Sequence, residues 1–508
     1  MEVIWRKALA SRGGMKRYWL ITSLGRQMKS LSGVDGAFLH LETNETPMHV
    51  ASLHAFDLPA GYAGDFHADI KRQMRRRLRL APVLTRKLAP MPLQFANPVW
   101  IEDDEIDLDY HVQHLTLPSP GTQAQLEDGV AHMHSQLLDR SRPLWRMAVI
   151  DGLQSGQVAY YFKVHHAVLD GQAGVLLSQA LFDVTPKPRA IPRGAGPHAA
   201  HPEHPGLAEL AAAALKHDVG QYIKLVRHLP DVAKTLVGLL GGTGGTGSTP
   251  GQANGRLGQN FSFGPKTPLN VPITGERGFA AVSVPLDTLK RLAVVHEAKL
   301  NDIVLVLCSG TLRRYLAQHG GIPRKPLIAT MPVSLRQAGN TEYRTQATLT
   351  LVNLHTQMAD PVKRLRAIRD AAGAMKALAQ RAKGVIPTDF PSIGVPWVLQ
   401  GLAALYGRSG IVEAMPPLAN VVISNVPGPQ VPLYAAGARM TDYWPLSIVE
   451  HGIGLNITVM SYAGTMGFGF TTAHVAVPDP RQLSAALLQE LADLTARSRP
   501  AARTSRTR

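Results

Sequence analysis

Only one of the 508 residues is a cysteine, Cys308. A disulfide framework is therefore excluded, and a reducing compartment is expected. Cys308 follows the apolar run Ile303-Val304-Leu305-Val306-Leu307, which suits a buried inert thiol better than a nucleophile. Long hydrophobic runs are missing too: no stretch reaches the roughly 20 apolar residues needed to cross a bilayer. Residues 1–27 hold a short apolar run, 18–24, interrupted by Thr22 and Ser23. That makes a poor signal peptide, and the segment reads as an extension ahead of a first domain. Acidic residues are in deficit, 37 against 53 basic, for a net charge of +16. Such a surplus favours polyanionic partners: an anionic lipid surface, a phosphorylated substrate or nucleic acid. It gathers at Lys71, Arg72, Arg75, Arg76, Arg77 and Arg79, and again at Arg497, Arg499, Arg503, Arg506 and Arg508. No nucleic-acid reader motif accompanies either cluster, so a solvated face or tail, anionic lipid or coenzyme phosphates account for them without nucleic acid.

Hydrophobic residues make up 45% of the chain and charged residues 18%, which excludes a disordered chain and is enough for two cores. Five segments are expected: an extension, 1–27; an α/β domain, 28–183; a linker, 184–263; a second α/β domain, 264–497; and a basic tail, 498–508. Residues 65–80 read as a helix with a basic face, 143–151 and 158–164 as strands, and 172–182 as a helix. The linker opens rich in Pro, Gly and His. His198, His201 and His204 lack companion Cys and acidic ligands, so a polar connector is expected rather than a metal site. Residues 207–240 follow with helical spacing and a break at Pro230. Gly242, Gly244 and Gly247 form GxGxxG, but no strand leads in and no helix follows, so a dinucleotide fingerprint is rejected. Asn301 or Asp302 is expected to cap a helix ending near Gly320, and Asp479-Pro480 to start a last helix with Leu483, Leu487, Leu491 and Leu494 on one face.

The chemistry concentrates in His165-His166-Ala167-Val168-Leu169-Asp170-Gly171, at the end of the strand over 158–164. Side chains alternate along a strand, so the two imidazoles point to opposite sides and one of them is the natural general base. Asp170 and Gly171 turn the chain into the next helix, where glycine tolerates positive φ or close backbone approach.

This HHxxxDG segment resembles the active-site motif of the CoA-dependent acyltransferase superfamily. Further segments narrow the resemblance: TPMHV at 46–50, PLW at 143–145, PKTPLN at 265–270, ND at 301–302, PVSLR at 332–336, LVNL at 351–354, SNVPGP at 424–429 and GLNITVMSY at 454–462. Their order and spacing over residues 28–497 are similar to those of the bacterial wax ester synthase/diacylglycerol acyltransferase family. The resemblance implies an α/β fold of two chloramphenicol-acetyltransferase-like domains joined by a helical linker, with the site between them. It implies O-acyl transfer from acyl-CoA, a co-substrate, to diacylglycerol or a long-chain alcohol, with no cofactor and no metal. It also implies a cytoplasmic protein in peripheral contact with the inner membrane or lipid inclusions.

Within that resemblance His166 is the general base that takes the proton of the alcohol, whose oxygen then attacks the thioester. An ordinary imidazole titrates near pH 6.5, and an ordinary thiol near 8.5, so a neutral base and a good thiolate leaving group are both at hand near pH 7. No GxSxG segment is present, in keeping with direct transfer. His165 and Asp170 are expected to hold the site in shape, Asp170 through an arginine pair, and Gly171 to make the turn. Asn301 is a candidate for orienting substrate or stabilising the oxyanion, with helix capping as its other reading. Trp145 either lines an acyl tunnel or packs between domains. Glu42 matches a family position with a substrate-side role, or is a hydrogen-bonded structural carboxylate. Ser424, Asn425 and Gly428 are expected to shape a turn with Pro427. Two departures stand out: Gly467 replaces the superfamily's Asp before Phe-Gly, and the acidic partner expected near Ala473-His474 is missing. The rival readings are a condensation-type enzyme fed by a carrier protein, and a lipid-droplet binding protein without catalysis.

Overall fold

The computed structural model describes residues 29–191, 263–334, 347–381, 400–401 and 410–498, apart from positions 90, 92, 94, 95, 104, 170 and 415. The expectations for residues 1–27, for the linker histidines, for the helical stretch 207–240, for the glycine-rich segment and for the arginine tail beyond 498 fall outside these residues, as does Arg336.

The strands in chain order are β1 Lys29–Ser30, β2 His49–Asp57, β3 Arg86–Ala89, β4 Val99–Glu102, β5 Val112–Thr116, β6 Trp145–Asp151, β7 Val158–His165 and β8 Arg277–Pro285. They continue as β9 Ile328–Ser334, β10 Ala347–Asn353, β11 Val421–Val426, β12 Tyr434–Ala435, β13 Ala438–Leu446, β14 Leu455–Tyr462 and β15 Thr465–Ala473. The helices used below are α1 Gly33–Leu41, α2 Phe66–Arg77, α3 Gln123–Ser135, α4 Gly171–Leu181, α5 Leu300–Gln318 and α6 Arg481–Arg497.

Two six-stranded mixed sheets carry the molecule, in the orders β12-β13-β2-β7-β6-β5 and β10-β9-β11-β14-β15-β8. The three strands β1, β4 and β3 make a small third sheet. Every residue of β7 and of β14 is buried; β7 accordingly reads as a nearly continuous apolar run, whereas β14 alternates, with Asn456 and Thr458 turned to a cavity. The helix α5 is buried almost all round and packs in the core of the second sheet. Its N-terminus differs from expectation. Lys299 occupies the cap position, and Asp302 reaches back from inside the helix to accept the Lys299 N–H at 2.9 Å. The last helix follows Asp479-Pro480 as expected, and Leu483, Leu487, Leu491 and Leu494 are all buried.

The chain crosses between the two sheets. Residues 434–446, late in the sequence, form β12 and β13, and β13 pairs antiparallel with β2 from Arg439 opposite Asp57 to Leu446 opposite Ala51. The chain then returns to the second sheet as β14 and β15. Crossing over β15 brings backbone very close: a Cβ on Gly467 would lie 2.3 Å from the Tyr443 carbonyl oxygen, and one on Gly469 would lie 1.8 Å from that of Pro445. Glycine is required at both positions, and that accounts for Gly467 where the superfamily has an aspartate. His474 is exposed and donates its backbone N–H to the Glu276 carbonyl; no ion pair involves it among the described residues.

Candidate active site

The two motif histidines leave β7 in opposite directions. The His165 side chain is fully buried. Its Nδ1 accepts the Ala167 N–H at 3.0 Å, so Nδ1 carries no proton and the ring proton sits on Nε2. Nε2 points to Glu42, 3.2 Å from Oε2. Nδ1 is thus hydrogen-bonded and Nε2 faces the Glu42 carboxylate, and His165 is not among the residues that line the cavity. His166 is half-buried. Its backbone N–H donates to the Met48 carbonyl at 2.8 Å, and its ring stacks on Phe38 with centroids 4.0 Å apart. His166 Nδ1 is buried, while the residue lines a cavity between the two sheets.

Glu42 organises this end of the sheet. Its side chain is only 2% exposed. Oε2 accepts the Met48 N–H at 3.1 Å and lies 3.1 Å from His49 Nε2 as well as beside His165. Oε1 pairs with Arg140 at 2.8 Å. Burial alone would raise the Glu42 carboxyl, but the His165 and His49 rings outweigh it and hold it below the usual carboxylate range. Burial pushes the His49 imidazole down to about 4. Burial also pushes Lys163, two residues before His165, down to about 7; its Nζ donates to the Met133 and Gln136 carbonyls at the end of α3. Glu42 is thus a buried, charged support for both motif histidines. It contacts His165 directly and reaches His166 through the Met48 backbone.

The cavity that His166 lines has a volume of about 370 Å³, within the range of small-ligand sites. One wall comes from β2, β7 and α4 and is mostly apolar, including Val50, Phe162, Val164, Leu177 and Leu181. The opposite wall comes from the second sheet and carries Ser424, Asn425, Asn456 and Thr458. A second cleft, of about 920 Å³, is lined by Glu42, Arg140, His40 and His451.

The other sequence candidates take different places. Asp170 lies outside the described residues; Gly171 is the first residue of α4. Asn301 does not line the cavity. It accepts a hydrogen bond through Oδ1 from Asn425 Nδ2 at 3.2 Å, and Asn425 is the residue on the cavity wall. Trp145 is neither tunnel lining nor interdomain packing. It is 1% exposed in the core of the first sheet, stacked on His111 with its Nε1 donating to the Leu84 carbonyl at 2.8 Å. The PLW segment still serves the site, because the Leu144 carbonyl accepts the His165 N–H. His49 and Asn425 were not singled out as functional from sequence, although TPMHV and SNVPGP contain them. Cys308 is buried, and burial pushes its thiol up to about 12, as an inert thiol requires. Among the described residues no cluster of potential metal ligands occurs and no helix is long and apolar enough to cross a membrane.

The model of the wax ester synthase/diacylglycerol acyltransferase catalytic domain matches residues 31–304, and that of the WS/DGAT C-terminal domain matches residues 345–495. The chain belongs to the wax ester synthase/diacylglycerol acyltransferase family. It is 34% identical over 478 residues to an O-acyltransferase, WSD, of Acinetobacter baylyi, covering 91% of this chain and 96% of that protein. A putative diacylglycerol O-acyltransferase of Mycobacterium tuberculosis is 34% identical over 467 residues, covering 89% of this chain and 87% of the relative. The solved wax ester synthase/diacylglycerol acyltransferase of Marinobacter aquaeolei superposes with a TM-score of 0.65 at 29% identity, over 92% of this chain and all of that one. A condensation domain of the calcium-dependent antibiotic synthetase superposes at 0.55 with 15% identity, over 94% and 98% of the two chains, which speaks for the fold alone. As a member of the WS/DGAT family the protein is an acyltransferase with the two-domain α/β fold expected from its sequence.

Proposed function

We propose that this WS/DGAT-family enzyme transfers a long-chain acyl group directly from acyl-CoA to the hydroxyl of diacylglycerol or a long-chain alcohol, with His166 as general base. The support is the cavity position of His166, combined with the burial of His165 against Glu42, away from the cavity. His166 Nε2 takes the hydroxyl proton as the alcohol oxygen attacks the thioester carbonyl. Collapse of the tetrahedral adduct breaks the carbon–sulfur bond, and the imidazolium returns the proton to the departing sulfur. The products are the ester and free CoA, and no acyl-enzyme forms. Asn425, held by Asn301, is placed to donate to the carbonyl oxygen as it gains charge. Purified His166→Ala should lose at least about a hundredfold in kcat with either acceptor while melting like wild type. Equal ester formation by the variant would refute the reading.

The protein works in peripheral contact with a membrane or lipid inclusion on the cytoplasmic side. The contact surface is the basic outer face of α2 with the turn that follows it, where Arg75, Arg76 and then Arg79 are exposed. That helix packs on α4, which walls the cavity: Gln73 Nε2 donates to the Leu181 carbonyl at 2.8 Å.

A further inference from the structure

The polar wall of the cavity ends in a carboxyl group that the acyl-transfer mechanism does not use. Glu450 follows β13 in the segment that returns the chain to the second sheet, and it lines the cavity together with Ser447 and Ile448. Its backbone is pinned: the N–H donates to the Ile453 carbonyl at 3.2 Å and the carbonyl accepts the Ile453 N–H at 2.9 Å. The residue keeps a large accessible surface, and it is among those that line the cavity. Buried carboxylates elsewhere among the described residues have partners: Glu42, Asp183 and Glu490 pair with Arg140, Arg77 and Arg364, and Glu127 accepts the Ala281 N–H. Glu450 has no ion pair and no side-chain hydrogen bond among the described residues. Burial pushes its carboxyl up, with no neighbouring cation to offset it.

A carboxyl oxygen left open in a mostly apolar cavity loses hydration without gaining a protein partner, a cost that a ligand donor relieves. The acyl chain offers no donor. The reacting hydroxyl is assigned to His166. We infer that Glu450 forms a hydroxyl-binding subsite for acceptors that carry a second hydroxyl besides the one acylated, as monoacylglycerols and alkane-1,2-diols do. The inference rests on the acyl-transfer reading above for the identity of the cavity and names a further acceptor class for it. The geometry is consistent along the wall. Asn456 and Thr458 are occupied with each other and with the Ile448 carbonyl, whereas the Glu450 carboxyl has no such partner among the described residues.

The test compares hexadecane-1,2-diol with 1-hexadecanol, which share chain length and differ by one hydroxyl. Binding is measured by competition with a fluorescent fatty-acid probe in the His166→Ala protein, and kcat/KM in the otherwise intact enzyme. Glu450→Leu should reduce the diol-to-alkanol ratio about tenfold in both measurements, as loss of one hydrogen bond to a charged or buried acceptor does. Glu450→Gln keeps a carbonyl acceptor and should recover part of the ratio. An unchanged ratio in Glu450→Leu with a normal melting curve overturns the subsite. So does a higher KM for acyl-CoA at an unchanged ratio, which would place the pantetheine amides against Glu450 instead. If the wild type makes no ester with any acceptor, the acyl-transfer reading fails, while the binding ratio still decides the role of Glu450.

Discussion

Glu42 is the residue on which most of the site geometry converges. One oxygen holds the Met48 N–H and faces both His49 and His165; the other holds Arg140. Met48 in turn accepts the His166 N–H through its carbonyl, so the carboxylate fixes the backbone from which the base projects. Glu42→Gln keeps the shape but replaces an acceptor oxygen by an N–H donor and removes a charge among three potential cations. Near-attack geometry is sensitive to shifts of about 1 Å. The expected result is a roughly ten- to hundredfold lower kcat with a much smaller change in KM for acyl-CoA and a melting curve like that of wild type; an unchanged kcat in the folded variant would refute the role. His166 was legible in the sequence because a strand end, a histidine pair and Asp-Gly at fixed spacing fall within seven residues. The Glu42–His49–His165 cluster was not, because its members are over 100 residues apart at the extremes and meet only through β2–β7 pairing, His49 opposite His165. Asn301 was read one layer too close to the substrate for a similar reason: only the fold reveals that Asn425 stands in front of it.

Elements from the two halves of the chain are joined by devices that local patterning does not display. The strands near the motif, the basic helix and the last leucine-faced helix were all readable from periodicity. The membership of β13 in the first sheet was not, since a strand carries no label for the sheet it joins. The contact of α3 with the edge strand β8 is another such device. Glu127 on α3 is 3% exposed and accepts the Ala281 N–H of β8 at 3.0 Å. Burial pushes its carboxyl up to about 7, above the ordinary value near 4.3. A raised carboxyl pKa means that the folded protein binds this proton more tightly than the unfolded chain. The stability it contributes is fully present below the unfolded value and is lost as pH rises through about 7. Glu127→Gln cannot titrate. The stability difference between wild type and variant in urea melts should therefore move in favour of the variant by about 3 kcal/mol from pH 4 to pH 8. A difference that does not change with pH would show that Glu127 titrates normally.

At the scale of the whole molecule, a net charge of +16 raises the question of where the positive potential is directed. The basic cluster seen in the sequence divides once folded. Arg77 turns inward, 2% exposed, to pair with Asp183 and the Leu181 carbonyl. Lys71 and Arg72 pair with Asp109 and Asp69. Arg75 and Arg76 remain exposed without ion pairs among the described residues, and Arg79 is exposed with a hydrogen bond to the Ile191 carbonyl. Arg75 and Arg76 stand on the outer face of α2, whose inner face of Phe66, Ile70, Met74 and Arg77 is buried, and Arg79 lies in the turn just beyond it. The hydrogen bonds from Gln73 and Arg77 to Leu181 tie that helix to the wall of the cavity, so an anionic surface meeting the arginines would hold the cavity near its lipid substrates. Each basic side chain close to such a surface contributes about 1 kcal/mol. Arg75→Ala combined with Arg76→Ala should therefore weaken co-sedimentation with phosphatidylserine-rich vesicles by roughly 30-fold. Wild-type binding should also weaken as salt rises, since charges separated from the surface by more than about 8–10 Å are screened. Turnover of a detergent-dispersed acceptor should hold steady in the double variant, because neither arginine lines the cavity. Unchanged vesicle binding would move the contact to another face of the molecule, and a loss of turnover in detergent would assign these arginines to coenzyme binding instead.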